Sequence, residues 1–321
     1  MPSADTRRIL RLIDSQSAAI KRSFMGFISS VTDDKLMAQV RSLLERRDIE
    51  GALSIVDSHV VRLGSILPAT FNAVGQAEVA ALAANLASRV GGTAISWDPT
   101  HPRAAELMRN NRLNFIRQFT NEQRSVTREA LQNGYAEGLG SKAIANTFRG
   151  SIGLTRAQSK AVDNYRRSLN EGSMDALSRG LRDRRSDPKV TRLFSDGQSL
   201  TPEQIETMVE RYRLNYIRFR AETIARTEGV KVTSMARQEA LSQSVEDLEI
   251  PVERLTRIWN STVDARTRDS HAVMNGQEVG FNEPFVSGDG NYLMYPGDPA
   301  APIEEIANCR CTVSNSIAPP A

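Results

Sequence analysis

From Thr6 to about residue 245 the apolar residues keep to spacings of three and four, and this periodicity commits most of the chain to helix. In "TRRILRLIDSQSAAIKRSFMGFI" Ile9, Leu12, Ile13, Ile20, Phe24 and Phe27 form one stripe of an amphipathic helix. The same spacing predicts helices over 33–46, 48–63, 69–90, 102–119, 121–137, 155–170 and 202–243. Glycine-bearing breaks separate several of them, and "RVGGTAISWDPTHP" (89–102) is the clearest place to subdivide the N-terminal region. Because Arg, Gln and Asn punctuate these stripes, the expectation is an extended helical body.

Two connections need their own reading. In "GLGSKAIANTFRGSIGLTRAQSKAVDNYRRSL" (138–169), Ser141 and Thr155 stand where an N-cap hydroxyl would satisfy the free amides of a first helical turn. The pattern suits a plain helical hairpin or a helix-turn-helix. In the second case Arg156, Lys160, Arg166 and Arg167 would meet phosphates of double-stranded DNA. The charged stretch 178–204, broken by Pro188 and Gly197, reads as a surface loop. Helix restarts after it: Thr201 and Gln204 have capping-box spacing and Pro202 sits at the first helical position, while Gly229 marks a kink or a join.

After Pro251 the texture changes. Residues 251–321 hold 7 of the 13 prolines, 5 of the 20 glycines and both cysteines. Leu255, Ile258 and Trp259 alternate with polar neighbours as a strand would, and turn formers such as Asn275–Gly276 and Gly288–Asp289–Gly290 separate short apolar pieces. The fold class expected is mainly α: a helical N-terminal region (1–200), a helical connector (201–250) and a small α+β module (251–321).

Charge follows the same division. Residues 1–250 carry 36 Lys and Arg against 29 Asp and Glu, whereas 251–321 carry 5 against 9, so a mildly basic body precedes an acidic module. That asymmetry suits a solvated helical surface, or a weak nucleic-acid-facing one. No apolar run approaches the roughly 20 residues of a membrane helix. The charged start "MPSADTRRILRLIDSQ" does not read as a secretion signal, and with two cysteines a cytosolic life is the expectation.

The distinctive side chains gather in the last hundred residues. The "ARTE" helix (225–228, with Thr227 and Glu228), the string W-x-x-T-x-D-x-R-T-R-x-x-H from Trp259 through Thr262, Asp264, Arg266 and Arg268 to His271, "YPGD" (295–298) and the closing "NCRC" (Asn308, Cys309, Arg310, Cys311) follow in order. Over residues 215–315 this arrangement resembles the Mu F-like phage head morphogenesis family, minor head proteins of tailed double-stranded DNA phages. The resemblance implies a non-enzymatic protein of the virion, at the head interior or portal vertex, present in the host cytoplasm during assembly. Its implied partners are the portal protein and other capsid or scaffolding components, with packaged DNA as a further contact and no membrane. Some relatives carry fused toxin or enzyme domains in a long C-terminal extension, which is not expected here.

"NCRC" itself admits three readings. Residues i and i+2 of an extended segment have Cα atoms about 6.6 Å apart, at the long edge of the disulfide range, and the ring would be very small. The same geometry lets two thiolates grip one soft metal from a single side. Zinc would then take Cys309, Cys311 and His271, the module's only histidine, with Asp264, Asp269 or water as fourth ligand. In the third reading the thiols pack inward on a closing strand as small apolar residues, and Arg310 pairs with Asp264 or Asp269. Asp264, Asp269 and His271 beside Arg266 and Arg268 could also be drawn as the acid/base set of a metal-dependent nuclease; an ion-paired turn explains the same residues.

Overall fold

The computed structural model describes residues 3–86 and 95–318. Eleven α-helices, three short 3-10 helices and five strands are found among them. The α-helices are α1 (Ala4–Val31), α2 (Asp34–Glu45), α3 (Ile49–Leu63), α4 (Ile66–Leu86), α5 (Pro102–Ala136), α6 (Ser141–Ser151), α7 (Arg156–Asn170), α8 (Asp187–Ser195), α9 (Pro202–Asp247), α10 (Asp269–Ala272) and α11 (Ile303–Ile306). The strands are β1 (Leu255–Asn260), β2 (Glu278–Gly280), β3 (Phe285–Val286), β4 (Tyr292–Leu293) and β5 (Thr312–Ile317). The chain is mainly α with a small antiparallel C-terminal portion, as its periodicity predicts. No described helix is long and apolar enough to cross a membrane.

Cα packing divides the chain into two compact units built from interleaved segments. One comprises Phe24–Leu63 and Phe115–Ala221. Its core includes Phe24, Phe27 and Phe119, whose rings meet edge to face at 5.8 and 5.4 Å. Arg220 lies 4.9 Å above the Phe119 ring and pairs with Glu122. Thr155 caps α7 through a full capping box with Gln158. Ser141, by contrast, is the first residue of α6 rather than its cap: Gly140 holds that position without a side-chain hydrogen bond. The turn between α6 and α7 is fixed from inside. Gly153 has φ +81°, and a Cβ there would lie 2.3 Å from Ile28 Cδ1. Gln123 holds the same turn, donating to Ser151 O at 3.1 Å and accepting from Gly153 N at 2.9 Å.

Two expectations about element boundaries also change. Residues 102–119 and 121–137 form one helix, because nothing at residue 120 interrupts the amide ladder and α5 runs through. The 178–204 stretch is not simply a loop. Pro188 sits in the first turn of α8, where a missing N–H costs nothing, and Gly197 (φ +66°) follows its end. The 89–102 break is only partly visible, since 87–94 lie outside the described residues.

The second unit comprises the described residues up to Ser23, Gly64–Asn114 and the chain from Glu222 on. Its sheet has the order β2-β1-β5, all antiparallel, with Trp259 opposite Val313 and Arg257 opposite Val279. β3 and β4 form a separate hairpin. Along β1 the inward residues are Leu255, Arg257 and Trp259. Ile258, expected on the apolar face, is out of phase with the two-residue period and only half-buried. Trp259, Met274, Phe285, Leu293, Ile306, Cys309, Cys311 and Val313 share one core with Ile9 and Ile13 of α1 and Val230 of α9. α9 runs unbroken past Gly229. The glycine serves a helix contact instead of a kink, since a Cβ there would lie 2.3 Å from Ser17 Oγ.

Candidate metal centre

Past β1 the chain turns through residues 261–268, and backbone-directed side chains shape that turn. Asp264 Oδ1 accepts from Arg266 N at 2.9 Å, and Thr267 Oγ1 donates to Thr262 O at 2.8 Å. Thr262 Oγ1 donates to Arg310 O at 2.8 Å, and the Arg268 guanidinium donates to Ala307 O. These bonds fasten the turn to the segment after α11. The one-turn helix α10 then carries His271 inward, and Ser261 Oγ donates to His271 O at 2.5 Å.

The opposite wall is the "NCRC" segment. Asn308 adopts φ +55°, a left-handed conformation that asparagine tolerates better than most residues, and this redirects the chain so that Cys309 faces inward. Its amide donates to Thr227 Oγ1 at 3.0 Å, which joins the "ARTE" stretch of α9 to the cysteines. Glu228 pairs with Lys231 at 2.7 Å.

Between these walls three side chains meet. Cys309 Sγ lies 3.6 Å and Cys311 Sγ 3.5 Å from His271 Nδ1, and all three ligand atoms lie within 4.8 Å of one another. Cys309, Cys311 and His271 are 1%, 3% and 1% exposed. Both cysteines are free thiols, and they precede β5 rather than lying on it. On the far side of the ring, His271 Nε2 is 2.9 Å from Glu305 Oε2, beside the carboxylate but off the line of a well-aligned hydrogen bond. Burial alone would raise the Glu305 carboxyl; hydrogen bonds from Asn291 (3.0 Å), Ser287 (2.7 Å) and Ser270 (3.0 Å) more than offset it, so Glu305 stays below its usual value. A carboxylate beside Nε2 favours the proton on that nitrogen and leaves the Nδ1 lone pair facing the thiols. The Trp259 and His271 rings meet nearly perpendicular, their centroids 5.5 Å apart. Cys311 is pushed well below the usual thiol range, chiefly by the Cys309 thiol and also by His271. Cys309 moves the opposite way as its partner and burial disfavour a second charge.

Residues 169–314 match the family described as Phage Mu protein F like protein. The Mu F-like region thus starts upstream of the stretch that carries the sequence resemblance and takes in α9, β1 to β4, the start of β5 and the whole histidine–cysteine cluster. No curated protein and no solved structure matches the chain.

Within the Mu F-like region the string residues separate into two groups. His271, Cys309 and Cys311 converge with Trp259 against them. Asp264 does not join them: both of its oxygens accept from Arg310, at 2.6 Å each, and Arg266 lies 3.9 Å away in solvent. Arg310 holds the Asp264 carboxyl far below the usual carboxylate range, the Arg266 amide assisting. Asp269 is exposed at the start of α10. The proposed acid/base set is therefore not assembled around one point. A cavity of about 10 Å³, room for roughly one water-sized particle, adjoins the cluster between Thr262, Thr267, Arg268 and Asn308.

The α7 residues lie before the Mu F-like region. Arg156 pairs with Glu129 at 2.6 Å and Arg166 with Glu206, while Lys160 and Arg167 are exposed.

Three residues that organise this unit were not singled out by motif. Glu305 in "PIEEI" looks like one of two exposed acids opening a short helix. Arg257 sits on the apolar face of β1, its guanidinium donating to Met294 O at 2.6 Å and to Glu283 O, 5.2 Å above the Phe285 ring; burial lowers it to about 10. Arg237 of α9 donates to Val313 O at 2.8 Å and pairs at 3.0 Å with buried Glu78, which Arg8 meets at 2.7 Å from the other side. The only sequence signal for Arg257 was its place on the strand's two-residue period.

Proposed function

We propose that this chain is a phage minor head protein that acts in head morphogenesis, joining the procapsid near the portal vertex. The observation that carries this reading is the Mu F-like match over 169–314. The arrangement of its motifs supports a structural role: Thr227, Thr262, Asp264, Arg268, Asn308 and Arg310 spend their hydrogen bonds fastening one segment to another. Portal, capsid and scaffolding proteins are the partners, and the virion is the location. The protein is not an enzyme in this reading, because the carboxylate a nuclease would need, Asp264, is fully engaged by Arg310.

DNA contact is the weaker part. Two of the four α7 cations are already paired, which leaves Lys160 and Arg167 for phosphate. Quantitative mass spectrometry of heads purified from the encoding phage, with cross-linking to the portal protein, tests the proposal. The chain should be present at low copy relative to the major capsid protein and cross-link to portal. Its absence from purified heads overturns the reading.

A further inference from the structure

His271, Cys309 and Cys311 raise a question that packing alone does not answer. A neutral imidazole offers one lone pair, at Nδ1 here, and so can accept from one thiol. Two sulfurs nevertheless approach that single atom, at 3.6 and 3.5 Å. Tetrahedral zinc bound by sulfur at about 2.3 Å and nitrogen at about 2.0–2.1 Å places S and N ligand atoms roughly 3.6 Å apart. Both observed separations match that edge.

We propose that this cluster is a zinc site, with Cys309 Sγ, Cys311 Sγ and His271 Nδ1 as ligands. Two thiolates balance the charge of the ion, so the buried site is neutral when loaded; both thiol protons leave to solvent on binding. Glu305 takes the place of the outer carboxylate that orients a metal-bound histidine, and it is itself held by Ser270, Ser287 and Asn291. Asp264 is excluded by its pair with Arg310. The fourth position falls to water, for which the adjoining cavity has room. The ion joins α10 to the segment between α11 and β5, and thereby closes the core around Trp259. The site is independent of the role in the phage head.

Untagged full-length protein, dialysed against metal-free buffer, provides the test by elemental analysis and by cobalt substitution. The expected result is about one zinc per chain and a near-ultraviolet thiolate-to-cobalt charge-transfer band. The double variant Cys309→Ser/Cys311→Ser should lose both. Glu305→Gln should keep the band while weakening affinity about 10- to 100-fold. If the double variant does not fold, titration of the wild-type thiols decides: both should be protected until a chelator is added. No zinc together with no charge-transfer band, or metal content unchanged in a folded double variant, overturns the assignment.

Discussion

Asp264 and Arg310, 46 residues apart in sequence, form a doubly hydrogen-bonded ion pair at 2.6 Å per contact. The pair lies beside the histidine–cysteine cluster without entering it. Asp264→Ala should therefore leave the metal content of the protein unchanged, whereas His271→Ala lowers it. Elemental analysis of the two variants checks this, and metal loss in the Asp264 variant would contradict the ligand set.

Arg257 is a charged residue where a strand's inward face calls for an apolar one, and it survives there because backbone carbonyls of Glu283 and Met294 accept from it. Substituting Met keeps the volume but leaves those carbonyls buried without donors. Arg257→Met should cost about 3 kcal/mol, read from denaturant unfolding followed by Trp fluorescence. A loss within experimental error would mean the loops hold themselves.

Glu78 lies between Arg237 and Arg8. Burial acts to raise its carboxyl, but the two guanidiniums more than offset that and hold it below its ordinary value of 4.5. A lowered carboxylate stabilises the fold fully above the unfolded value and loses that contribution as pH falls below it. Glu78→Gln should thus destabilise by about 3 kcal/mol near neutrality, by taking from buried Arg237 its close carboxylate partner, whereas Arg8 keeps its pair with Asp5. The gap to wild type should narrow below about pH 4.5. Melting curves of both proteins between neutral and acid pH measure it; a gap independent of pH would be the contrary result.

Gly297 in "YPGD" combines φ +81° with close approach to α9, where a Cβ would lie 2.9 Å from Lys231 Cα. Gly172 shares the left-handed backbone (φ +67°) but has open space around it. Gly297→Ala should therefore cost clearly more than the roughly 1 kcal/mol of left-handed strain expected at Gly172→Ala. Equal losses in chemical denaturation would remove the packing argument.

The parts of this fold that are legible in the sequence are those carried by local signals. The helices were legible because the three- and four-residue period of side chains such as Ile9, Ile13 and Ile20 is a local signal. Thr155 with Gln158, and Thr201 with Gln204, were legible as caps for the same reason, and the hydrogen bonds are present in both. The convergence of His271 with the cysteines was a candidate that spacing alone did not decide, because 38 residues separate His271 from Cys309 and tertiary contacts of the 261–268 turn bring them together. Glu305 and Arg257 were hidden since their burial depends on partners distant in sequence. Gly229 reads in sequence as a kink or a join, because a missing side chain says that space is tight without saying what fills it.

In the proposed site two separated strings, one ending at His271 and one ending at Cys311, close on a single ion. X-ray absorption at the zinc edge of the purified full-length protein tests this most directly. The expected spectrum has two sulfur scatterers at about 2.3 Å and nitrogen or oxygen at about 2.0–2.1 Å. A spectrum fitted by nitrogen and oxygen ligands alone would contradict it.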